Sequence, residues 1–190
     1  WTQGKIEMKA NVTQIMVEEH KLILRMITLV EQNTARLEEG QFRNWQFYLD
    51  AVDFIRNYAD RFHHAKEEDI LFVALIKNGM PEKQSPIEAM HMEHDEGRSH
   101  VRAIEEAAQK TLAGEAGQTA IIVEHAKGYA KLLRGHIEKE DDILYPLAER
   151  ILPEEVRDGM LSAYTTAEQQ SPGLEEKYRK LVEGYEQQAV

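Results

Sequence analysis

The chain has 190 residues, 42% hydrophobic and 30% charged, enough for one domain with a sizeable core. Its net charge of −11 argues against a nucleic-acid partner, because a polyanion is repelled and no basic stripe compensates. The lack of cysteine removes disulfides, thiolate zinc sites and iron–sulfur ligation, and no apolar run approaches the roughly 20 residues that cross a bilayer.

Trp1–Lys9 has no charged start followed by an apolar block, so no signal peptide is expected there, although a chain beginning at Trp1 leaves room for a leader removed before it. The cytoplasm is the expected compartment. Apolar residues recur at spacings of three and four almost throughout, which predicts an all-α protein. Asn11 opens the first helix, with Gln14 placed to complete a capping box, and Gly40 ends it after about Glu39. A second helix spans roughly Phe42 to Lys77 and stops at Asn78-Gly79-Met80-Pro81. Ser85-Pro86-Ile87-Glu88 opens the third with a cap, a first-turn proline and a glutamate at the third helical position; it ends near Leu112. The fourth runs from about Gln118 to Ile151, and Pro153 starts a further segment broken at Ser171-Pro172-Gly173. Four long helices joined by short turns bury their stripes as an up-down-up-down four-helix bundle over residues 1–152. Residues 153–190 read as a C-terminal helical extension without a ligand-type pattern, covering the bundle or forming a homodimer surface.

Within this frame two segments repeat. His63-His64-Ala65-Lys66-Glu67-Glu68-Asp69-Ile70-Leu71-Phe72 returns 73 residues later as His136-Ile137-Glu138-Lys139-Glu140-Asp141-Asp142-Ile143-Leu144-Tyr145, and Glu19-His20 returns 74 residues later as Glu93-His94. On a helix, residues i and i+4 lie one above the other, about 6 Å apart along the axis. A His-x-x-x-Glu pair therefore closes on one ion or holds two neighbouring ones. With 34 acids and 8 histidines the pattern alone is weak, and position on the helix decides more. His63 and Glu67 fall in the stripe Ile55, Ala59, Ile70, Ala74. His136 and Glu140 fall in the stripe Ile122, His125, Tyr129, Leu132, Ile143, Leu147. His20 aligns with Met16, Ile23, Ile27 and Val30, and His94 with Ile87, Met90, Val101 and Ile104.

An isolated carboxylate in such a stripe costs several kcal/mol or takes up a proton. No lysine or arginine in the stripes offsets the two glutamates, whereas a pair of divalent cations does. His20, His63, Glu67, His94, His136 and Glu140 offer four nitrogen donors and two potential bridging carboxylates, which suits iron, manganese or zinc. His64 lies about 100° around the helix from His63 and reaches a second ion from the cavity edge. It joins the set because two six-coordinate ions need more donors than six residues supply. Glu67 and Glu140 are preferred to Glu68 and Asp141, since Asp141 shares a face with Lys127 and Arg134. His91 is a weaker candidate near a helix end. His125, about 16 Å from His136 along the axis, is expected to pack or hydrogen-bond, His100 to be solvated, and Tyr129 to line the cavity or the core.

Over about residues 11–150 these residues resemble the hemerythrin-like family, also called the HHE cation-binding domain, and in particular its bacterial stand-alone branch. The resemblance implies a non-haem centre of two iron ions, although zinc or manganese fits the same donors. It takes histidine from the first helix, His-x-x-x-Glu from the second, histidine from the third, and His-x-x-x-Glu or His-x-x-x-x-Asp from the fourth. His20, His63/Glu67, His94 and His136/Glu140 match position by position. One departure concerns the third helix, where oxygen-carrying hemerythrins have two histidines four apart. Met90 stands four before His94, so one ion lacks a histidine unless His64 supplies it. The implied function is binding of dioxygen, or of another small diatomic or peroxide ligand, for oxygen binding, sensing or storage. The alternatives are a di-iron oxidoreductase acting on peroxide or nitric oxide, and an iron donor for iron–sulfur cluster repair, which the lack of cysteine weakens. A ferritin-like carboxylate bundle needs Glu-x-x-His on two helices, and only Glu88–His91 has that spacing.

Overall fold

The computed structural model describes residues 11–188 as six helices, with no strand among the described residues. Trp1–Lys9 lies outside them. The helices are α1 (Val12–Glu38), α2 (45–77), α3 (Pro86–Leu112), α4 (119–151), α5 (Glu154–Gln169) and α6 (Leu174–Gln188). None is long and apolar enough to cross a membrane.

Local chemistry sets the ends. Asn11 caps α1 by accepting from the Thr13 N–H, but Gln14 does not complete the box, because its amide donates to Glu18 instead. α2 starts at Trp45 rather than Phe42: Asn44 accepts from the Phe47 N–H, and Phe42 packs onto the core from the loop. Ser85 caps α3 through the Glu88 N–H, while the Glu88 carboxylate accepts from Gln84 N–H at 2.6 Å. Gly40 and Gly79 follow α1 and α2 with φ of 72° and 101°, left-handed turns that a Cβ would strain.

Contacts between helices give their directions. Along α1, Thr13, Glu31 and Glu38 meet Glu149, Arg134 and Lys127 of α4, so the two run antiparallel. Asp60 and Arg56 of α2 likewise meet Arg98 and Glu105 of α3. The result is an up-down-up-down bundle.

α2 and α4 are not regular. In both, the turn after the central glutamate is π-helical: the Phe72 N–H donates to the Glu67 carbonyl, and the Tyr145 N–H to the Glu140 carbonyl, five residues back. A further π-helical stretch covers Ile55–His64. The extra residue per turn shifts the inward face, which corrects the stripes read at a period of 3.6. Ile143 is 57% exposed and Ile70 half-buried, while Leu144 and Leu71 turn into the core.

Two apolar clusters result, one on each side of a polar layer. The larger holds Ile23, Ile27, Phe54, Tyr58, Ile104 and Ala130 among others, and the smaller holds Met16, Leu71, Phe72, Met90, Leu144 and Tyr164. The C-terminal helices contribute to both. Tyr164 and Met160 of α5 enter the smaller cluster, and Tyr178 and Val182 of α6 enter the larger one against Phe54 and Tyr58.

Tyr178 is fully buried, and its hydroxyl donates to Asp53 at 2.8 Å. Tyr178→Ala is expected to cost about 3–5 kcal/mol in urea unfolding, as for other large aromatic truncations. An unchanged midpoint would mean that α6 is not part of the cooperative unit.

Candidate metal centre

The polar layer is built from the repeated segments. Glu67 and Glu140 have no exposed surface, and His20, His63, His94 and His136 retain 2% or less. His64 is buried at 7% and stacks on His94, with ring centroids 3.8 Å apart. All seven donors named from the sequence therefore converge. They form two groups sharing Glu67: His64, Glu67, His94 and His136, and His20, His63, Glu67 and Glu140. In each group the donor atoms lie within 4.8 Å of one another.

Both glutamates span the two groups. Glu140 sets Oε1 2.9 Å from His136 Nε2 and Oε2 3.2 Å from His20 Nε2. Glu67 turns Oε1 toward His63 Nε2 at 3.9 Å and Oε2 toward His94 Nε2 at 3.4 Å. Three of these four oxygens accept no hydrogen bond, a state that buried carboxylates rarely adopt without a cation. The imidazoles agree. His20 and His63 face each other through Nε2 at 2.9 Å, and His94 and His136 at 3.0 Å. Two nitrogens bound at right angles to one ion, with bonds of about 2.1 Å, stand about 3.0 Å apart. The donor set fits a pair of first-row divalent ions.

Residue types around the ring nitrogens explain how the imidazoles hold this pose. Each Nδ1 meets an acid: His20 Asp141 at 2.8 Å, His63 Glu19 at 2.7 Å, His94 Glu68 at 2.6 Å, His136 Glu93 at 2.8 Å and His64 Asp60 at 3.4 Å. A carboxylate on Nδ1 fixes the tautomer and aims Nε2 inward. Asp141 and Glu68 are thus outer acids, and Lys127 and Arg134 pair with Glu38 and Glu31 rather than with Asp141. Cations form the next layer. The buried Lys66 reaches Glu19 and Glu168, Lys139 reaches Glu93, and Arg98 bonds both Asp60 and Glu68. The stripes contain no cation, but the layer behind them does.

The other histidines stand apart. The His91 side chain is 45% exposed, and its Nδ1 lies 3.9 Å from Glu68. His100 is half-buried rather than solvated, its Nδ1 3.0 Å from Nδ1 of His125, in space that Gly128 leaves open. Sequence reasoning missed Tyr145. It stacks on His20 and donates to Glu67 Oε1 at 2.6 Å, with its hydroxyl 3.4 Å from His20 Nε2. The signal was present, because Tyr145 is the repeat's counterpart of Phe72.

Comparison with known families matches residues 11–148 to the hemerythrin HHE cation binding domain. The chain belongs to that family. Neither curated proteins nor solved structures gave a match. The twofold echo of this hemerythrin-like bundle is broken at two positions beside the centre. His64 has Ile137 as its counterpart, and Tyr145 has Phe72. One donor group is accordingly richer in imidazole, and the other has a phenol alongside.

Charge in the metal-free centre is shared unevenly. Burial lowers the His20 imidazole, but Asp141 and Glu140 lift it to about 10, and Glu67 and Glu68 lift His94 against burial to about 9. Burial holds His63 well below its ordinary value and, with the neighbouring His94, takes His64 down to about 3. Burial alone would raise the Glu140 carboxyl, but His136 and His20 keep it well below its usual range. Tyr145 is pushed far up by burial and then by Glu140 and Glu67, so its proton stays in place.

The raised His20 and His94 bind protons more tightly in the folded metal-free protein than in the unfolded chain. Their contribution to stability is full below about pH 6.5 and is lost as pH climbs through 9 to 10. A metal ion competes for the same nitrogens, so metal affinity is expected to rise over this range and uptake to release protons. Calorimetry in buffers of different ionisation enthalpy reads that release, and none would contradict the assignment. Glu93→Gln removes only the acid behind His136 and leaves the partly exposed Lys139 solvated. It is expected to weaken metal binding about 10–100-fold in chelator competition with the fold intact.

Proposed function

We propose that this chain is a non-haem di-iron protein of the bacterial stand-alone hemerythrin-like type that binds dioxygen. The reading rests on the two donor groups joined by Glu67 and Glu140, three of whose four carboxylate oxygens accept no hydrogen bond. When bound, an iron pair supplies reversible two-electron chemistry toward dioxygen. His20, His63, His64, His94 and His136 supply the nitrogen donors, and His64 takes the place that a second histidine on α3 would fill, Met90 being packed in the apolar cluster. The five outer acids hold those rings in register, which lowers the reorganisation needed when charge at the centre changes.

Two further roles follow from the chain's own groups. Leu71, Phe72, Leu144 and Met90 exclude water from one side of the layer. The Tyr145 hydroxyl donates directly to a donor carboxylate, 2.6 Å from Glu67 Oε1, and so supplies a hydrogen-bond donor at the imidazole-poor group.

A second reading, an oxidoreductase acting on peroxide or nitric oxide, is favoured by a cavity of about 240 Å³ that reaches His64, His94 and His136. Stopped-flow mixing of the reduced, iron-loaded protein with oxygen distinguishes the two. Oxygen binding predicts a long-lived spectral change that vacuum reverses. Many rapid turnovers with peroxide or nitric oxide would replace that reading with the second. Elemental analysis showing no iron uptake would end both.

A further inference from the structure

The cavity beside the centre has chemistry of its own. It lies between α2, α3 and α4 and is several times the roughly 30 Å³ share of a water-sized molecule. Its wall is apolar at Ile55, Val101, Leu132 and Leu133, and Gly97 faces the Tyr129 ring across it, where a Cβ would make contact at 3.4 Å. Tyr129 is 2% exposed, and its hydroxyl has no hydrogen-bond partner. A buried phenol in that state lacks an acceptor.

Four arginines line the same cavity, in a protein whose net charge is −11. Two are committed: Arg56 is held bidentately by Glu105, and Arg98 by Asp60, Asp95 and Glu68. The lining acids Asp60 and Glu93 are themselves matched by Arg98 and Lys139. Arg61 bonds only the neutral Asn57, and Arg102 is exposed and meets no acid among the described residues. Two solvent-exposed guanidinium groups with no acidic partner among the described residues therefore line a partly apolar cavity that also contains an unpartnered phenol.

We propose that this cavity binds a small organic carboxylate. The carboxylate supplies both the counter-ion that Arg61 and Arg102 lack and the acceptor that Tyr129 lacks, while the apolar body of the ligand lies along Ile55, Val101, Leu132 and Leu133. A diatomic ligand fills too little of the space and carries no charge for the arginines. The cavity borders the donor group of His64, His94 and His136, but Arg61, Arg102 and Tyr129 belong to neither donor group, and binding through them does not require an ion there.

Calorimetric titration with hexanoate, and with hexan-1-ol as the neutral analogue, tests this on the protein as purified and again after zinc loading. Hexanoate is expected to bind in both, about tenfold or more tightly than hexan-1-ol. Arg102→Glu, on an exposed side chain, is expected to weaken hexanoate about tenfold or more and leave hexan-1-ol unchanged, and Tyr129→Phe to weaken hexanoate about fivefold with the circular dichroism unaltered. Equal binding of acid and alcohol, no binding of either, or an Arg102→Glu protein with unchanged hexanoate affinity would each overturn the proposal. Metal uptake measured on the same samples reports on the di-metal reading separately, so failure of one leaves the other readable.

Discussion

Two glutamates with no exposed surface, Glu67 and Glu140, stand in the middle of a bundle whose neighbouring layers are leucine, isoleucine and phenylalanine. Burying one unpaired carboxylate costs several kcal/mol, and burying two side by side costs more because they repel. The surrounding structure answers that electrostatic demand. Four imidazoles face the glutamates through Nε2 and His64 joins them, acids hold the imidazoles from behind, and Lys66, Lys139 and Arg98 close the outer circle. Charge alternates outward in shells, and the apolar core is cut in two to make room for them.

This layering gives each half of the repeated doublets a separate task. In Glu19-His20 and Glu93-His94 the histidine points at the centre, while the adjacent glutamate supports a histidine on the next helix, His63 or His136. In Glu67-Glu68 and Glu140-Asp141 the first acid points in, and the second supports His94 or His20. Each of α1 to α4 thus both donates to the centre and braces a neighbour. The C-terminal helices join this arrangement at one point, where Glu168 of α5 meets Lys66.

Much of this was legible in the sequence, for reasons that can be stated. The bundle follows from periodicity and from loops too short for any other connection. The seven donors could be picked out because histidine and glutamate are conspicuous within apolar stripes. The outer acids could not, because a period of 3.6 cannot say which of two adjacent carboxylates faces a ring on another helix. Nor does that period reveal that the Lys66 ammonium lies buried, covered by Phe62 and α5. The misplacement of Ile143 has a different origin: a π-helical turn carries no composition signal, and it moves the following residues around the axis. Tyr145 was visible only as a mismatch between the repeats.

That mismatch has a consequence for loading. With His64 on one side and a phenol on the other, the two seats differ in softness, the first offering mainly nitrogen and the second more oxygen. If ions occupy both groups as proposed, those that favour imidazole are expected in the first seat and harder ions in the second, a preference that a symmetric duplication of one helical hairpin would not impose.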